Sequence, residues 1–174
     1  MNAIASSQRL VLTPFAERHL SERYVGWLND PETMRYSEQR HRRHTLDSCR
    51  DYWQRMRAGG HCFWAIEAKD PALGHVGNMT AYVDAPNRVA NLAILIGDRR
   101  IWGRGYGTEA WRAACGHLLG PAGMRKVVAA TMAKNVGMVG IMRASGMTEE
   151  GRRRDHYLLD GQPIDEVQAA IFGR

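Results

Sequence analysis

The chain has 174 residues, 44% of them hydrophobic, with a formal net charge of +6 at pH 7; that length and apolar content suit one domain, residues 1–174, with a sizeable core. It contains no run of 18 apolar residues, which excludes a membrane-spanning helix, and the segment from Met1 to Ser7 lacks the basic flank and apolar stretch of a secretory signal. Cys49, Cys62 and Cys115 are odd in number and far apart, so reduced thiols in a cytoplasm are expected rather than a disulfide framework or a zinc site.

Residues 10–13 form a first strand, ended by Pro14. Leu20, Tyr24, Val25 and Leu28 recur at helical spacing and predict a helix over 17–28, broken by Asn29-Asp30-Pro31. Thr45 caps a second helix through Met56, which stops at Gly59-Gly60. Strands follow at 62–67, at 75–83 after a turn through Pro71 and Gly74, and at 89–96 after Pro86-Asn87. A helix opens at Ala110, and a strand at 126–132 precedes a helix at 136–144. Strands at 152–159 and 166–172 close a hairpin around Asp160-Gly161. Successive strands followed by strand-helix-strand-helix-strand indicate an α+β fold on a sheet of mixed direction.

The most informative stretch joins the strand at 89–96 to the helix at Ala110. It reads Arg99-Arg100-Ile101-Trp102-Gly103-Arg104-Gly105-Tyr106-Gly107-Thr108-Glu109. A strand, a glycine-rich turn and a helix present backbone N–H groups to a phosphate. The alternating glycines let the main chain approach an anion without Cβ atoms in the way. A Walker A loop would end in Gly-Lys-Ser/Thr, and no lysine precedes Thr108. A dinucleotide fingerprint would space its third glycine differently. A phosphate-bearing ligand is therefore expected on Gly103, Arg104, Gly105, Tyr106, Gly107 and Thr108.

Arg100-Ile101-Trp102-Gly103-Arg104-Gly105 resembles the Arg/Gln-x-x-Gly-x-Gly/Ala loop of the GCN5-related N-acetyltransferases (GNAT). The longer string to Ala110, with Asn135-Val136-Gly137-Met138, Gly146-Met147 and Asp160 to Asp165, resembles the branch that holds ribosomal-protein N-terminal acetyltransferases. The resemblance runs from Arg9 to Phe172. It implies a central mixed, mostly antiparallel and splayed sheet flanked by helices, with acetyl-CoA as donor. Main-chain groups of Ile94, Leu95 and Ile96 would pair with the pantetheine arm. Arg99, Arg100 and Arg104 would serve as phosphate partners, although each also suits a solvated surface. Asn135 matches the family's cofactor-arm asparagine, and equally a helix N-cap. Met138 would lie near the thiol end, and Arg143 near the adenosine 3′-phosphate.

The pattern departs from the family at its chemical centre. The glutamate expected on the strand before the loop is replaced, since Ala90-Asn91-Leu92-Ala93 carries none, and Met138 and Met142 stand where a tyrosine or serine acid is usual. Direct attack of an amine in a ternary complex remains the expected chemistry, with Glu38 or Tyr157 as substitute groups, and His44 and His156 as further candidates.

Between Arg35 and Arg57 lie seven arginines and two histidines against Glu38, Asp47 and Asp51. The resemblance places this segment over the acceptor site, with Arg35, Tyr36, Arg40, His44 and Asn78 as its contacts. A basic roof suits an anionic amine such as an amino-sugar nucleotide. A protein N-terminus, or a non-catalytic acyl-CoA-binding module, is the alternative. His41-x-x-His44 has no further ligand spacing, so no metal is expected. No nucleic-acid-binding motif accompanies the charge, and a homodimer is left open.

Overall fold

Eight strands make one open sheet in the order β1-β2-β3-β4-β5-β6-β8-β7 in a computed structural model that describes residues 3–173. Met1, Asn2 and Arg174, at the ends of the expected domain and of the segment read for a secretory signal, lie outside the described residues. The strands are β1 (Ala5–Ser6), β2 (Leu10–Pro14), β3 (Cys62–Ala68), β4 (His75–Asp84), β5 (Val89–Ile96), β6 (Lys126–Met132), β7 (Thr148–Leu159) and β8 (Gln162–Phe172). The helices are α1 (Glu22–Asn29), α2 (Leu46–Ala58), α3 (Tyr106–Leu119) and α4 (Val136–Ala144).

Neighbouring strands run antiparallel except β5 and β6, which are parallel. That parallel ladder holds only Val89, Ala90 and Asn91 against Lys126, Val127 and Val128. Past Asn91, β5 keeps β4 on one edge, with Leu92 to Ile96 in register to Ala81 to Gly77, while β6 pairs onward with β8 as far as Met132 and Glu166. The sheet is therefore splayed, as the family resemblance implies.

Strand alternation divides the two faces. Leu92 of β5, Val127 and Ala129 of β6, and Val167 and Ala169 of β8 point into the main core, where they meet Ala110, Trp111, Ala114 and Leu118 of α3. Phe15, Tyr24, Val25, Trp27, Cys49 and Met56 form a second cluster that packs α1 and α2 on Phe63 and Ala65 of the opposite face. Phe15 stacks on Phe63 with ring centroids 4.2 Å apart. Ile101, 1% exposed, seats the loop after β5 in the main core.

The helix expected over 17–28 is two pieces. A 3₁₀ turn covers Glu17–His19, and α1 begins at Glu22 because the Ser21 hydroxyl caps it, accepting from the Tyr24 N–H at 3.2 Å. His19 Nδ1 takes the Ala16 N–H at 2.9 Å, which fixes the preceding turn. The helix after the glycine loop starts at Tyr106 rather than Ala110, directly behind Gly105. The closing hairpin is longer than expected at both ends: Asp160 (φ 52°) and Gly161 (φ 75°) make a tight turn, and pairing extends out to Thr148 and Ala170, with a register break between Arg153 and Tyr157.

Candidate active site

The glycine loop begins at Asp98, a buried carboxylate that accepts from the Arg100 N–H and caps a 3₁₀ turn at Arg99–Ile101. Gly103 (φ 69°) and Gly105 (φ 79°) then take left-handed conformations that L side chains resist. A Cβ on Gly103 would meet nothing within 4 Å, so the loop faces open space. The first bond internal to α3 runs from Glu109 N–H to Gly105 O at 3.1 Å. The N–H groups of Tyr106, Gly107 and Thr108 therefore precede the helical ladder and lie at the positive end of the helix dipole. Gly107 serves packing rather than turning, since its Cβ would sit 2.9 Å from Ile141 Cδ1 of α4.

Arg9 holds this loop in place, although the sequence reading did not single it out. Its Nε donates to Glu109 Oε2 at 2.7 Å, its Nη1 to Arg104 O at 3.0 Å, and its guanidinium lies 4.1 Å from the Tyr106 ring centroid. Ser7 Oγ and the Arg9 N–H complete the set, each donating to Glu109 Oε1 at 2.7 Å.

The three loop arginines separate. Arg99 is tied to Asp30 at 2.5 Å and Glu32 at 2.7 Å. Arg100 is tied to Asp98 at 2.7 Å, where Arg23 of α1 also binds at 2.5 Å. These two, expected beside phosphate, instead anchor the loop to neighbouring acids. Arg104 has no carboxylate partner among the described residues; its Nη1 reaches Arg100 O at 3.3 Å. Along the open edge of β5, Ile94 and Leu95 lie past the last pair with β6, while the Ile96 carbonyl already accepts from Trp102 Nε1 at 2.9 Å. Asn135 caps α4: its Oδ1 accepts from Met138 N–H and its Nδ2 donates to Thr131 Oγ1, both at 3.1 Å. Met138 packs against the main core, and Arg143 is exposed in the last turn of α4.

The opposite face of the splay carries a different chemistry. Exposed Asn91 and Ala93 of β5 and exposed Ala130 of β6 share it with Met132, Glu166 and Gln168. Glu166 is only 4% exposed. Tyr157 donates its hydroxyl hydrogen to Glu166 Oε1 at 3.0 Å, Gln168 Nε2 donates to Oε2 at 2.9 Å, and Arg153 Nη1 lies 3.4 Å from Oε2. Burial, then the Glu166 bond and charge, then Glu38 push the Tyr157 phenol above its ordinary pKa. The structure thus brings Tyr157 and Glu38 into one neighbourhood; Glu38 itself is exposed and paired with Arg40 Nη1 at 2.6 Å. The sequence reading missed Glu166, and the legible signal was alternation: Glu166 and Gln168 are polar while Val167 and Ala169 are apolar.

Beside this face a cavity of about 680 Å³ is lined by Asp30, Met34, Arg35, Arg40, Arg42 and Arg43, among others. Arg35 pairs with Asp160 at 3.2 Å, and Arg40 Nη2 donates to Leu158 O at 2.8 Å. Arg42 and Arg43 are exposed and make no side-chain ion pair among the described residues. Tyr36 packs with Met132, Leu159 and Ile164 under the hairpin rather than lining the cavity. His44 is not a cavity residue either; its backbone exchanges bonds with the Asn29 amide at 2.8 and 2.9 Å. Asn78 departs furthest from its expected acceptor role, because it is 4% exposed and its Oδ1 is bonded to His75 Nε2 at 2.9 Å.

The fold has many solved counterparts. The ribosomal L7/L12 α-N-protein acetyltransferase RimL, in complex with coenzyme A, superposes with a TM-score of 0.84 at 16% identity, covering 99% of this chain and 98% of that one. Spermidine N-acetyltransferase from Vibrio cholerae, in complex with CoA and spermine, gives 0.82 at 16% identity, covering 94% and 95%. An acetyltransferase from Bacillus anthracis gives 0.80 at 17% identity, covering 97% of both chains. No curated protein matches the chain significantly in sequence. The family model "Acetyltransferase (GNAT) domain" matches residues 9–148, and with the splayed sheet and loop already described, the chain belongs to the GNAT acetyltransferase family.

Proposed function

We propose that residues 1–174 form one acetyltransferase domain that moves an acetyl group from acetyl-CoA to the primary amine of an anionic small molecule, such as an amino-sugar nucleotide. The donor supplies the activated acetyl group. The chain's residues fit it: the N–H groups of Tyr106 to Thr108 suit the pyrophosphate, Arg104 is the loop arginine left without an acid, and the open edge of β5 from Leu92 to Leu95 suits the amides of the arm.

The observation that carries the acceptor class is the charge state of the cavity wall. Its acids are neutralised, Asp30 by Arg99 and Asp160 by Arg35, whereas Arg42 and Arg43 line it with no ion pair among the described residues. A polyamine would find no free carboxylate there, and a phosphate would find two guanidinium groups. A structural neighbour, the microcin C7 self-immunity acetyltransferase in complex with acetyl-CoA and AMP, gives a precedent in this fold for a phosphate-bearing molecule together with the donor.

The test is thiol release from acetyl-CoA by the purified chain with four acceptors: an amino sugar linked to uridine diphosphate, glucosamine 6-phosphate, spermidine and a peptide with a free N-terminus. Turnover highest with the two phosphorylated amines supports the reading. Turnover confined to the peptide makes it a protein N-terminal acetyltransferase, and saturable CoA binding with no transfer makes it a binding module.

A further inference from the structure

We propose that Glu166 is the terminal proton acceptor for the acceptor amine and that it is reached through the Tyr157 hydroxyl. The inference rests on the acetyltransferase reading and adds to it the proton path, for which the family's strand glutamate is missing at Asn91.

The hydrogen-bond polarity carries the argument. A carboxylate only accepts, so the 3.0 Å bond commits the Tyr157 hydrogen to Glu166 Oε1. The phenol oxygen is then left with acceptor capacity alone. That suits an ammonium and does not suit a departing thiolate, which needs a donor. Gln168 and Arg153 hold the second carboxylate oxygen, so Glu166 keeps one orientation. Its 4% exposure keeps bulk water from competing. Tyr157 is less buried than Glu166, to which it is bonded. Both lie on the face that Ala130 and Met132 present beside the open end of the splay. The charged and titratable groups around the pair are Arg153 and Tyr157 of β7, with Glu38 and Arg40 of the turn before α2.

The step balances without a further reactant. The ammonium gives one proton to the Tyr157 oxygen as the phenolic hydrogen passes to Glu166. The neutral nitrogen attacks the thioester carbonyl, a C–N bond forms and the C–S bond breaks. The nitrogen's second proton goes to the sulfur, and Glu166 later releases its own to solvent. The products are the amide, the free thiol of CoA and one proton.

The test uses every amine in the panel above that the native chain acetylates. Glu166→Gln and Tyr157→Phe should each lower kcat about 10²-fold or more, the typical contribution of positioned acid–base groups. The double variant should fall no further than about threefold below either single one, because both remove the same path. The Kd for CoA, measured by calorimetry, should stay within about twofold in every variant, since none of these groups touches the loop. The Glu166→Gln defect should shrink as pH rises and the amine becomes neutral in solution, whereas a purely structural role would give a pH-independent loss. Glu166→Asp should restore at least a tenth of the activity, and with Tyr157→Phe it carries the test if the glutamine variant fails to fold. Activity of Glu166→Gln within threefold of native, a pH-independent defect, or CoA affinity lost in parallel overturns the proposal. A native chain that acetylates none of the four amines overturns the acetyltransfer reading itself, and this inference with it.

Discussion

Arg9 Nε meets Glu109 Oε2 at 2.7 Å, and that contact fastens the segment entering β2 to the first turn of α3. Burial opposes the Glu109 charge, but the bonds from Ser7, the Arg9 N–H and the Arg9 guanidinium outweigh it and hold the carboxyl below its ordinary range. A depressed carboxylate pKa contributes stability above the unfolded-state value, and that contribution is lost as pH falls through the folded value. Glu109→Ala should therefore cost about 1–3 kcal/mol at neutral pH and flatten the acid side of the stability curve, read by urea unfolding from pH 7 downward. CoA affinity should fall with it, because the same pair holds Tyr106.

Gly105 turns the chain into α3 at φ 79°. Space does not forbid a side chain there, since the nearest atom to its Cβ would be Arg9 Nη2 at 3.5 Å. The conformation is what resists substitution. Gly105→Ala should cost about 1–2 kcal/mol and weaken CoA binding about tenfold by tilting the helical N–H groups, as calorimetry would show. Unchanged affinity would remove the loop from the donor site.

Arg42 and Arg43 line the cavity without acid partners among the described residues. Arg42→Glu and Arg43→Glu should raise KM for the phosphorylated amines about tenfold each and leave kcat nearly unchanged. Native KM for the same amines should rise with added salt, and spermidine should improve as a substrate of the reversed variants. Steady-state kinetics at two ionic strengths separates these outcomes from general damage.

His75 lies among His19, Phe15 and Trp27, with ring centroids 5.0 Å from both His19 and Trp27. Burial pushes its pKa from 6.5 down to about 4, against the raising effect of its bond to Asn78. The unfolded chain takes a proton below pH 6.5 that the folded chain refuses until about pH 4. Stability is thus complete above pH 6.5 and declines toward pH 4, by on the order of 3 kcal/mol for this group. His75→Gln should remove that portion of the slope, measured by thermal unfolding across the interval.

The mixed α+β sheet and the glycine loop were legible because backbone chemistry announces itself locally: glycines at 103 and 105 have no other economical use between a strand and a helix. Side-chain commitments were not legible. Arg99 and Arg100 read as phosphate partners because their acids, Asp30 and Asp98, come from a distant segment and from the loop's own first residue. The periodicity at 17–28 concealed Ser21, whose hydroxyl restarts the helix. Glu166 was hidden in a strand whose apolar face dominated the reading, and only the folded hairpin, in which it pairs with Met132 and Arg153 and accepts from the Tyr157 hydroxyl, brings the two together. Asn78 was expected among the acceptor contacts, and its partner His75 makes it part of the buried wall instead.

The ladder between β5 and β6 is three residue pairs long, and among the described residues it is the one ladder that joins the first five strands to the last three. A junction so brief gives the C-terminal strands β6, β7 and β8 the means to open as a separate cooperative unit. Amides of β3 and β4 should then outlast those of β6 in hydrogen exchange, and a ligand lying along both sides of the gap should slow β6 selectively. The gap between β5 and β6 should thus double as the seam at which native-state unfolding begins.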